Sequence, residues 1–317
     1  MSQCQPVDAG LTSAATFLIF SVLPADRSVQ SVRRVLSSIP DITKNISIRD
    51  VNANLTCVVG IGSQIWDRLV RLPRPSELHP FPEVHGAKRT AVSTPGDILL
   101  HIRSERRDMC FELERQLMDR LGDDVRLEDQ TVGFRYFDAR DLLGFVDGTA
   151  NPVGAAATSD AVMIPESSNE SDATAVGGSY IVTQKYLHNL KSWKTLSTEQ
   201  QEAVIGRTKS DNIELDDADE GKQQAHKTLA TIEDASGKEY AILRDNMPFG
   251  SPSTGEFGTY FIAYSRHLWV VEKMMERMFI GNPPGLHDRI LDFSTPVTGC
   301  TFFAPSLSVL EALGDEE

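Results

Sequence analysis

Five short stretches of the chain hold residue types that do chemistry. Gly144-Phe145-Val146-Asp147-Gly148-Thr149-Ala150-Asn151-Pro152 sets one carboxylate, Asp147, between two glycines. The glycines let the backbone take positive φ or lie close against a ligand, so neither helix nor strand runs through. An ordinary Asp-Gly turn is the plainer reading. Gly206 and Arg207 follow an apolar helix end in Val204-Ile205-Gly206-Arg207-Thr208-Lys209. They read either as a helix C-cap or as a guanidinium offered to a carboxylate on a buried cofactor. His226 follows an acidic loop. A lone histidine is commonly a satisfied structural residue, yet imidazole is also a common ligand of haem iron, its other ring nitrogen held by a carboxylate or carbonyl. Arg244 is followed by Asp245 and Asn246. It is either an edge-strand arginine paired with Asp245 or a fixed cation in a pocket, with Asn246 on the same face of an extended chain. Asp288 and Asp292, four apart, share a face if helical, as a solvated pair or with one carboxylate buried to orient a histidine.

The elements that position these residues can be read from apolar periodicity. In the first half Ala14–Leu23 is a buried strand, Asp26–Ile39 a helix, Leu55–Ile61 a strand, and Gly62–Val70 a short helical piece. A Pro-rich excursion from Pro73 to Pro95 follows, long enough to carry function. Asp97–Arg103 is a strand, Arg107–Leu121 a helix, and Val125–Phe137 a strand. In the second half Gly177–Leu187 is a strand and Ser197–Ile205 a helix capped by Ser197. Glu239–Arg244 and Gly258–Ser265 are strands, Leu268–Phe279 a helix, and Thr301–Ala304 a short strand. Asn151–Ala175 reads as a small, polar, partly mobile surface connection, Glu214–Gly221 as an acidic cluster, and Gly314–Glu317 as a frayed acidic tail.

Strand, polar turn and amphipathic helix recur in the same order in both halves. This predicts an α+β fold with two copies of a split β-α-β unit, a duplicated ferredoxin-like architecture of the dimeric α+β barrel type, with antiparallel sheets and peripheral helices. The expected organisation is an N-terminal half over 1–143, a loop and connection over 144–176, and a C-terminal half over 177–317.

The chain has 317 residues, 40% hydrophobic and 24% charged, with a formal net charge of -14. Such an acidic chain is unsuited to nucleic acid or anionic membranes and favours neutral or cationic partners. No apolar run reaches the roughly 18 residues of a membrane helix. Ala14–Leu23 resembles a signal-peptide core, but Met1–Gly10 has no Lys or Arg. Cysteines 4, 57, 110 and 300 lack paired spacing, which fits reduced thiols and a cytoplasmic location, with Cys57 and Cys300 in the core.

Taken in order, G-F-V-D-G at 144–148, IGRTK at 205–209, AHK around His226, ILRDNMPFG at 242–250, GTYFIAYS at 258–265 and DRILDFSTPVTGCTFFAPS at 288–306 resemble the dye-decolourising peroxidases. The likeness covers most of the chain and is nearest to the compact bacterial cytoplasmic branch. It implies a peroxidase that binds one haem b per chain, reduces hydrogen peroxide and oxidises dyes, phenols or other donors through a high-valent iron–oxo intermediate. His226 would be the iron ligand and Asp288 its orienting carboxylate. Asp147 and Arg244 would face the peroxide, and Arg207 would contact a propionate. Asn246 would supply a distal hydrogen bond, Gly148 and Thr149 would border the cofactor, and Phe261 would pack on its face.

A distal carboxylate implies donor oxidation that is best in mild acid. Large donors would react at the haem edge or through aromatics such as Tyr136, Tyr186, Trp193 or Trp269. The exposed sheet edges of such scaffolds imply a homo-oligomer, and the short acidic end shows no encapsulin cargo signal. Two rivals remain at this point: a haem-handling protein with little turnover, and a non-haem metal enzyme using Asp147, His226 and Asp288.

Overall fold

The computed structural model describes residues 4–166 and 174–315. The first half runs β1 (Ala14–Val22), α1 (Asp26–Ser47), β2 (Thr56–Gly62) and α2 (Ser63–Leu69). A small hairpin of β3 (Val84–His85) and β4 (Thr90–Ala91) precedes β5 (Ile98–Ser104), α3 (Arg107–Leu121) and β6 (Val125–Phe134). The second half has α4 (Ala155–Val162), β7 (Ser179–His188), α5 (Leu190–Trp193), α6 (Thr198–Ile205) and α7 (His226–Leu229). It continues with β8 (Leu243–Arg244), β9 (Met247–Ser251), β10 (Glu256–Ser265), α8 (Leu268–Phe279), β11 (Ser294–Pro296), β12 (Cys300–Ala304) and α9 (Leu307–Glu311).

Sheet order reveals the duplication. The strands lie in the order β6-β1-β5-β2-β12-β7-β10-β8, with β9 and β11 paired on β10 and β7. Within the first half, β6-β1-β5-β2 is the fourth, first, third and second strand of a β-α-β-β-α-β unit. In the second half β12-β7-β10-β8 repeats that arrangement. The halves meet where Phe302 lies opposite Gly62 and Phe303 opposite Ile61. Where two sheets were expected there is one continuous antiparallel sheet of 10 strands. Among the described residues no ladder closes it into a barrel. β6 and β9 approach without pairing, so closely that a Cβ on Gly133 would lie 2.4 Å from that of Met247.

Strand alternation sorts side chains into two cores. Leu18, Phe20, Leu100 and Phe303 face the helices with Leu36, Leu113 and Phe279. Phe17, Ile19, Leu99, Tyr260 and Phe302 fill the opposite side.

Several boundaries differ from expectation. α1 passes through Pro40 to Ser47 because Ile42 and Ile46, each 7% exposed, extend its buried face. Burying two isoleucines, at about 1.5–3 kcal/mol each, offsets the roughly 3 kcal/mol penalty of an interior proline. The strand expected over Glu239–Arg244 shrinks to Leu243–Arg244, and Glu239 makes only an isolated bridge to Glu233. β9 and α4 were not foreseen. The Pro-rich excursion is structural: Leu78 and Phe81 are buried, and Glu77 binds the Trp269 N–H at 3.2 Å. In the acidic tail Gly314 ends a helical turn beside Ser37, whereas Glu316 and Glu317 lie outside the described residues, as do 167–173 of the connection.

Candidate active site

The central glycine–aspartate stretch is a loop held from within. The Asp141 carboxylate accepts the Gly144 and Phe145 N–H groups at 2.9 and 3.0 Å. Gly144 and Gly148 have φ of 96° and 77°, which favours glycine at both. At Gly144 a Cβ would also strike the Lys209 side chain at 2.6 Å. Arg140 donates to the Gly144 and Lys209 carbonyls at 3.0 and 2.6 Å. Leu143 and Phe145 are buried beside Trp193, whose indole N–H binds the Leu143 carbonyl at 2.9 Å. Asp147 leaves this anchored turn with its Oδ1 accepting the Gly148 N–H at 2.7 Å. The stretch is built of successive turns, with the Asn151 N–H on the Gly148 carbonyl at 3.0 Å.

The facing wall is β8 and its continuation. Arg244 and Asn246 point into the cavity, while Asp245 points away to Arg103 at 2.7 Å. Of the two readings of Arg244, the fixed cation in a pocket is the one observed, since Asp245 is paired with Arg103 instead. Arg244 keeps a buried Nε with no hydrogen-bond partner. Burial lowers its pKa, Arg207 lowers it further, and Asp147 opposes both. Asn246 donates to both Asp147 oxygens at 3.1 and 3.3 Å and accepts the Ile262 N–H at 3.2 Å, which fixes its amide. The Asn151 side chain accepts the Arg244 N–H at 2.9 Å and donates to the Arg244 carbonyl at 2.7 Å.

His226 opens α7 and borders the same cavity. Its Nδ1 lies 2.6 Å from Oδ2 of the fully buried Asp288, whose other oxygen accepts the Ile290 N–H at 3.0 Å. Burial lowers the His226 pKa, but the charge and hydrogen bond of Asp288 outweigh it, so the net shift is upward. An acceptor on Nδ1 leaves Nε2 as the donor atom. Asp292 instead binds Arg289 at 2.5 Å and His287 at 3.1 Å. The turn is a 3-10 helix of three residues per repeat, so Asp288 and Asp292 do not share a face.

Between these walls lies a cavity of about 160 Å³, lined by Asp147, His226, Arg244, Phe261 and the methionines 274, 275 and 278. It shares Asp147, His226 and Arg244 with an outer space of about 540 Å³ that opens to solvent past Gly148, Thr149 and Arg207. Arg207 follows Gly206, a left-handed C-cap with φ of 91°, and pairs with Glu214 at 2.5 Å. A narrower opening of about 40 Å³ reaches Asp147, Arg244 and Asn246 past Leu11, Arg135 and Tyr136. Apolar walls, one imidazole with its second nitrogen held, and a buried guanidinium N–H without a partner fit a flat iron porphyrin.

All the residues expected at the site border one or both cavities, except Asp288, which lies behind His226. Among the described residues, no group of three or more His, Cys, Asp or Glu could hold a metal ion, and Asp288 is bonded to the Nδ1 of His226. Of the four aromatics, Tyr186 lines the cavity and Trp193 is 2% exposed, which removes both as surface donors' contacts. Trp269 is 39% exposed and Tyr136 borders the narrow opening. Sequence reasoning gave no role to Asp141 or Asn151. The available signals were an aspartate three residues before a glycine, and an asparagine before a proline in a glycine loop.

Comparison with known proteins is consistent over the whole chain. The Dyp-type peroxidase N-terminal family matches residues 5–135, and the Dyp-type peroxidase C-terminal family matches residues 138–309. A dye-decolorizing peroxidase of Mycobacterium tuberculosis is 48% identical over 97% of this chain and 89% of its own length. DypB from Rhodococcus jostii superposes with a TM-score of 0.93 at 48% identity, covering 98% of each chain. An encapsulated DyP-type peroxidase from Mycobacterium smegmatis gives 0.92 at 48% identity, also covering 98% of each chain. The chain belongs to the Dyp-type peroxidase family, and its fold is the duplicated ferredoxin-like α+β fold.

Proposed function

We propose that this Dyp-type peroxidase binds one haem b per chain at His226, reduces hydrogen peroxide beside Asp147 and Arg244, and oxidises dyes, phenols or similar donors. The 2.6 Å bond from His226 to the fully buried Asp288 carries the reading, because it dedicates Nε2 to a cavity that also holds a carboxylate and a guanidinium. Haem iron, when bound, supplies the electrons that break the O–O bond and recovers them one at a time from donors.

The surrounding residues have complementary tasks. Asp288 keeps the Nδ1 proton of His226 engaged and makes the imidazole a stronger donor. Asp147, steadied by the Gly148 N–H and the Asn246 amide, takes a proton from the near oxygen of peroxide and returns it to the far one, directly or through a water. Arg244 gives its unpartnered N–H to the negative charge that develops on the departing oxygen. Phe261 and the three methionines exclude water from the broad faces of the cofactor. Gly148 and Thr149 would border the haem, and Arg207 would offer its guanidinium to a propionate. A haem carrier has no use for the Asp147–Asn246–Arg244 arrangement.

The test is the absorption spectrum of haem-loaded protein before and after one equivalent of hydrogen peroxide, with His226→Ala beside the wild type. A Soret band that shifts within milliseconds and is lost or altered in the variant supports the reading. A band indifferent to peroxide refutes it.

Assembly and location rest on the surface. Phe111, Met118, Leu127, Val132 and Phe134 are 37–56% exposed. Gln130, midway along β6, hydrogen-bonds Glu114 of α3 and so ties the strand to the helix. This exposed apolar flank supports a homo-oligomer. Light scattering of wild type and Phe111→Asp tests it, the variant dissociating if this flank is the interface. Among the described residues no helix is long and apolar enough to cross a membrane. Cys57, Cys110 and Cys300 are buried free thiols, which supports a reducing, cytoplasmic setting that cell fractionation would check.

A further inference from the structure

The side of the sheet turned away from the helices holds a polar cluster that the reaction above does not use. The Tyr264 hydroxyl lies 2.7 Å from Nδ1 of His101, and both residues are fully buried. Phe17 stacks on His101 at 4.6 Å between ring centroids and on Tyr260 at 4.0 Å. Arg103 and Asp245 form a buried ion pair of 2.7 Å beside them. Asp245 sits in sequence between Arg244 and Asn246, and Tyr264 follows Ala263, which pairs with Arg244 across the sheet. One layer of sheet therefore separates the tyrosine from the cavity.

The pattern of unmet hydrogen bonds is informative. Nε2 of His101 and Oδ1 of Asp245 are buried without partners, and Nε2 lies 3.9 Å from Asp245 Oδ2. Burial and the Arg103 charge keep the resting imidazole neutral. Its one proton is best placed on Nε2, towards the carboxylate, which leaves Nδ1 to accept the phenol proton. A second proton on the ring would give Asp245 a cationic neighbour with a donor to offer. The cluster is thus arranged to receive a proton that it does not hold at rest. Tyr186, which lines the cavity, donates instead to the Gln184 side-chain oxygen, and Tyr240 bonds an exposed carboxylate, Asp234.

We propose that Tyr264 and His101 form an internal redox pair that fills an electron vacancy in the peroxide-oxidised cofactor when no donor is at hand. The proposal rests on the peroxidase reading, which supplies the oxidant. One electron leaves the Tyr264 phenol for the oxidised cofactor, which is reduced by one equivalent. The phenol O–H bond breaks and its proton forms the second N–H bond of His101, beside Asp245. The products are a neutral tyrosyl radical and an imidazolium. A later electron from a donor reverses both transfers. The beneficiaries are Met274, Met275 and Met278, oxidisable side chains on the cavity wall.

The experiment uses haem-loaded protein, one equivalent of hydrogen peroxide, no donor, and rapid freezing for electron paramagnetic resonance. Wild type, Tyr264→Phe, His101→Gln and Tyr240→Phe are compared at equal haem content. A tyrosyl signal is expected that narrows with ring-deuterated tyrosine, disappears in Tyr264→Phe, falls sharply in His101→Gln and survives in Tyr240→Phe. The glutamine variant keeps an acceptor for the phenol but cannot take its proton, and it serves alone if the Tyr264 variant does not fold. Mass spectrometry after repeated peroxide additions should find more sulfoxide at the three methionines in both pair variants. A signal that persists without Tyr264, one that is lost with Tyr240, or unchanged sulfoxide overturns the pair. A Soret band that responds to peroxide without any tyrosyl signal overturns the pair alone, whereas an indifferent Soret band overturns the peroxidase reading with it.

Discussion

Asn151 and Arg244 are joined by two reciprocal hydrogen bonds of 2.9 and 2.7 Å, so one side chain stands in for a neighbouring strand. They tie the loop carrying Asp147 to the segment carrying Arg244 and Asn246. Asn151→Ala leaves an N–H and a carbonyl unmet, at about 1–3 kcal/mol of stability. Loss of registry should slow the peroxide-dependent Soret shift by roughly 10-fold or more. Stopped-flow absorbance at equal haem content measures this, and a lowered melting temperature with an unchanged rate would reduce Asn151 to a structural role.

Asp288→Asn removes the negative charge that faces the Nδ1 proton of His226. Iron affinity or activity should fall by about 10–100-fold. The weaker donor should also raise the ferric–ferrous potential. A spectroelectrochemical titration checks the sign, and an unmoved potential would contradict the orienting role.

Arg244→Leu should lower the second-order rate with peroxide by about 10²–10³-fold, the usual loss for one preorganised donor to developing charge. Arg244→Lys should recover only part of it, since a lysine cannot reproduce the planar donor fork. Comparison with Asp147→Asn under identical conditions ranks the two residues directly.

Asp141 gives a pH signature in protein free of haem. Burial raises its carboxyl to about 7, with Asp147 adding to the rise and the Phe145 and Gly144 N–H groups opposing it. Between the ordinary carboxyl range and neutrality, the folded state holds a proton that the unfolded chain has released. Stability on this account falls as pH rises to about 7 and then levels. Asp141→Asn cannot ionise and retains an oxygen for both N–H groups. Its advantage over wild type should grow from acid to neutral pH and reach on the order of a few kcal/mol at most. Thermal melts across that range decide, and a constant difference would rule the account out.

Much of this was legible in the sequence where local pattern and tertiary packing agree. The helices Arg107–Leu121 and Leu268–Phe279 matched to the residue because their apolar faces are also their buried faces. Ser197 was readable as a cap because its capping box with Gln200 is local. Pro40 misled because the energy that carries a helix past it comes from distant contacts of Ile42 and Ile46. β9 was hidden because Pro248 and Gly250 argue against a strand that only its hairpin partner β10 makes stable. At the site, the residue types of Asp147, His226 and Arg244 advertised chemistry. The Arg103–Asp245 pair did not, since 142 positions separate its members.

Charge around the outer opening favours particular donors. Glu214, Asp217, Glu233 and Glu239 border it beside Arg207, Lys227 and Arg277, and because Glu214 and Asp217 are paired with Arg207 and Lys227, the bias comes from Glu233, Glu239 and the chain's net charge of -14. Cationic dyes should show a lower KM than anionic dyes of similar potential, and added salt should narrow the gap. Steady-state assays with matched dye pairs at two ionic strengths test this, and equal KM values would refute it.

The cavity bounded by Asp147, His226 and Arg244 is walled entirely by residues between 141 and 294. The first copy of the repeated unit supplies none of that wall, although it shares the sheet through β2 and β12. Its contribution to the cavity is mechanical. A fold that hollows out one half for a large planar guest loses packing there, and a second half filled with side chains acts as the counterweight that keeps the shared sheet stiff. Substitutions between 14 and 134, those at His101 and its neighbours apart, should therefore be felt mainly as heat tolerance, and those at the cavity wall as chemistry. Duplication here gives most of the rigidity to one half and most of the reactivity to the other.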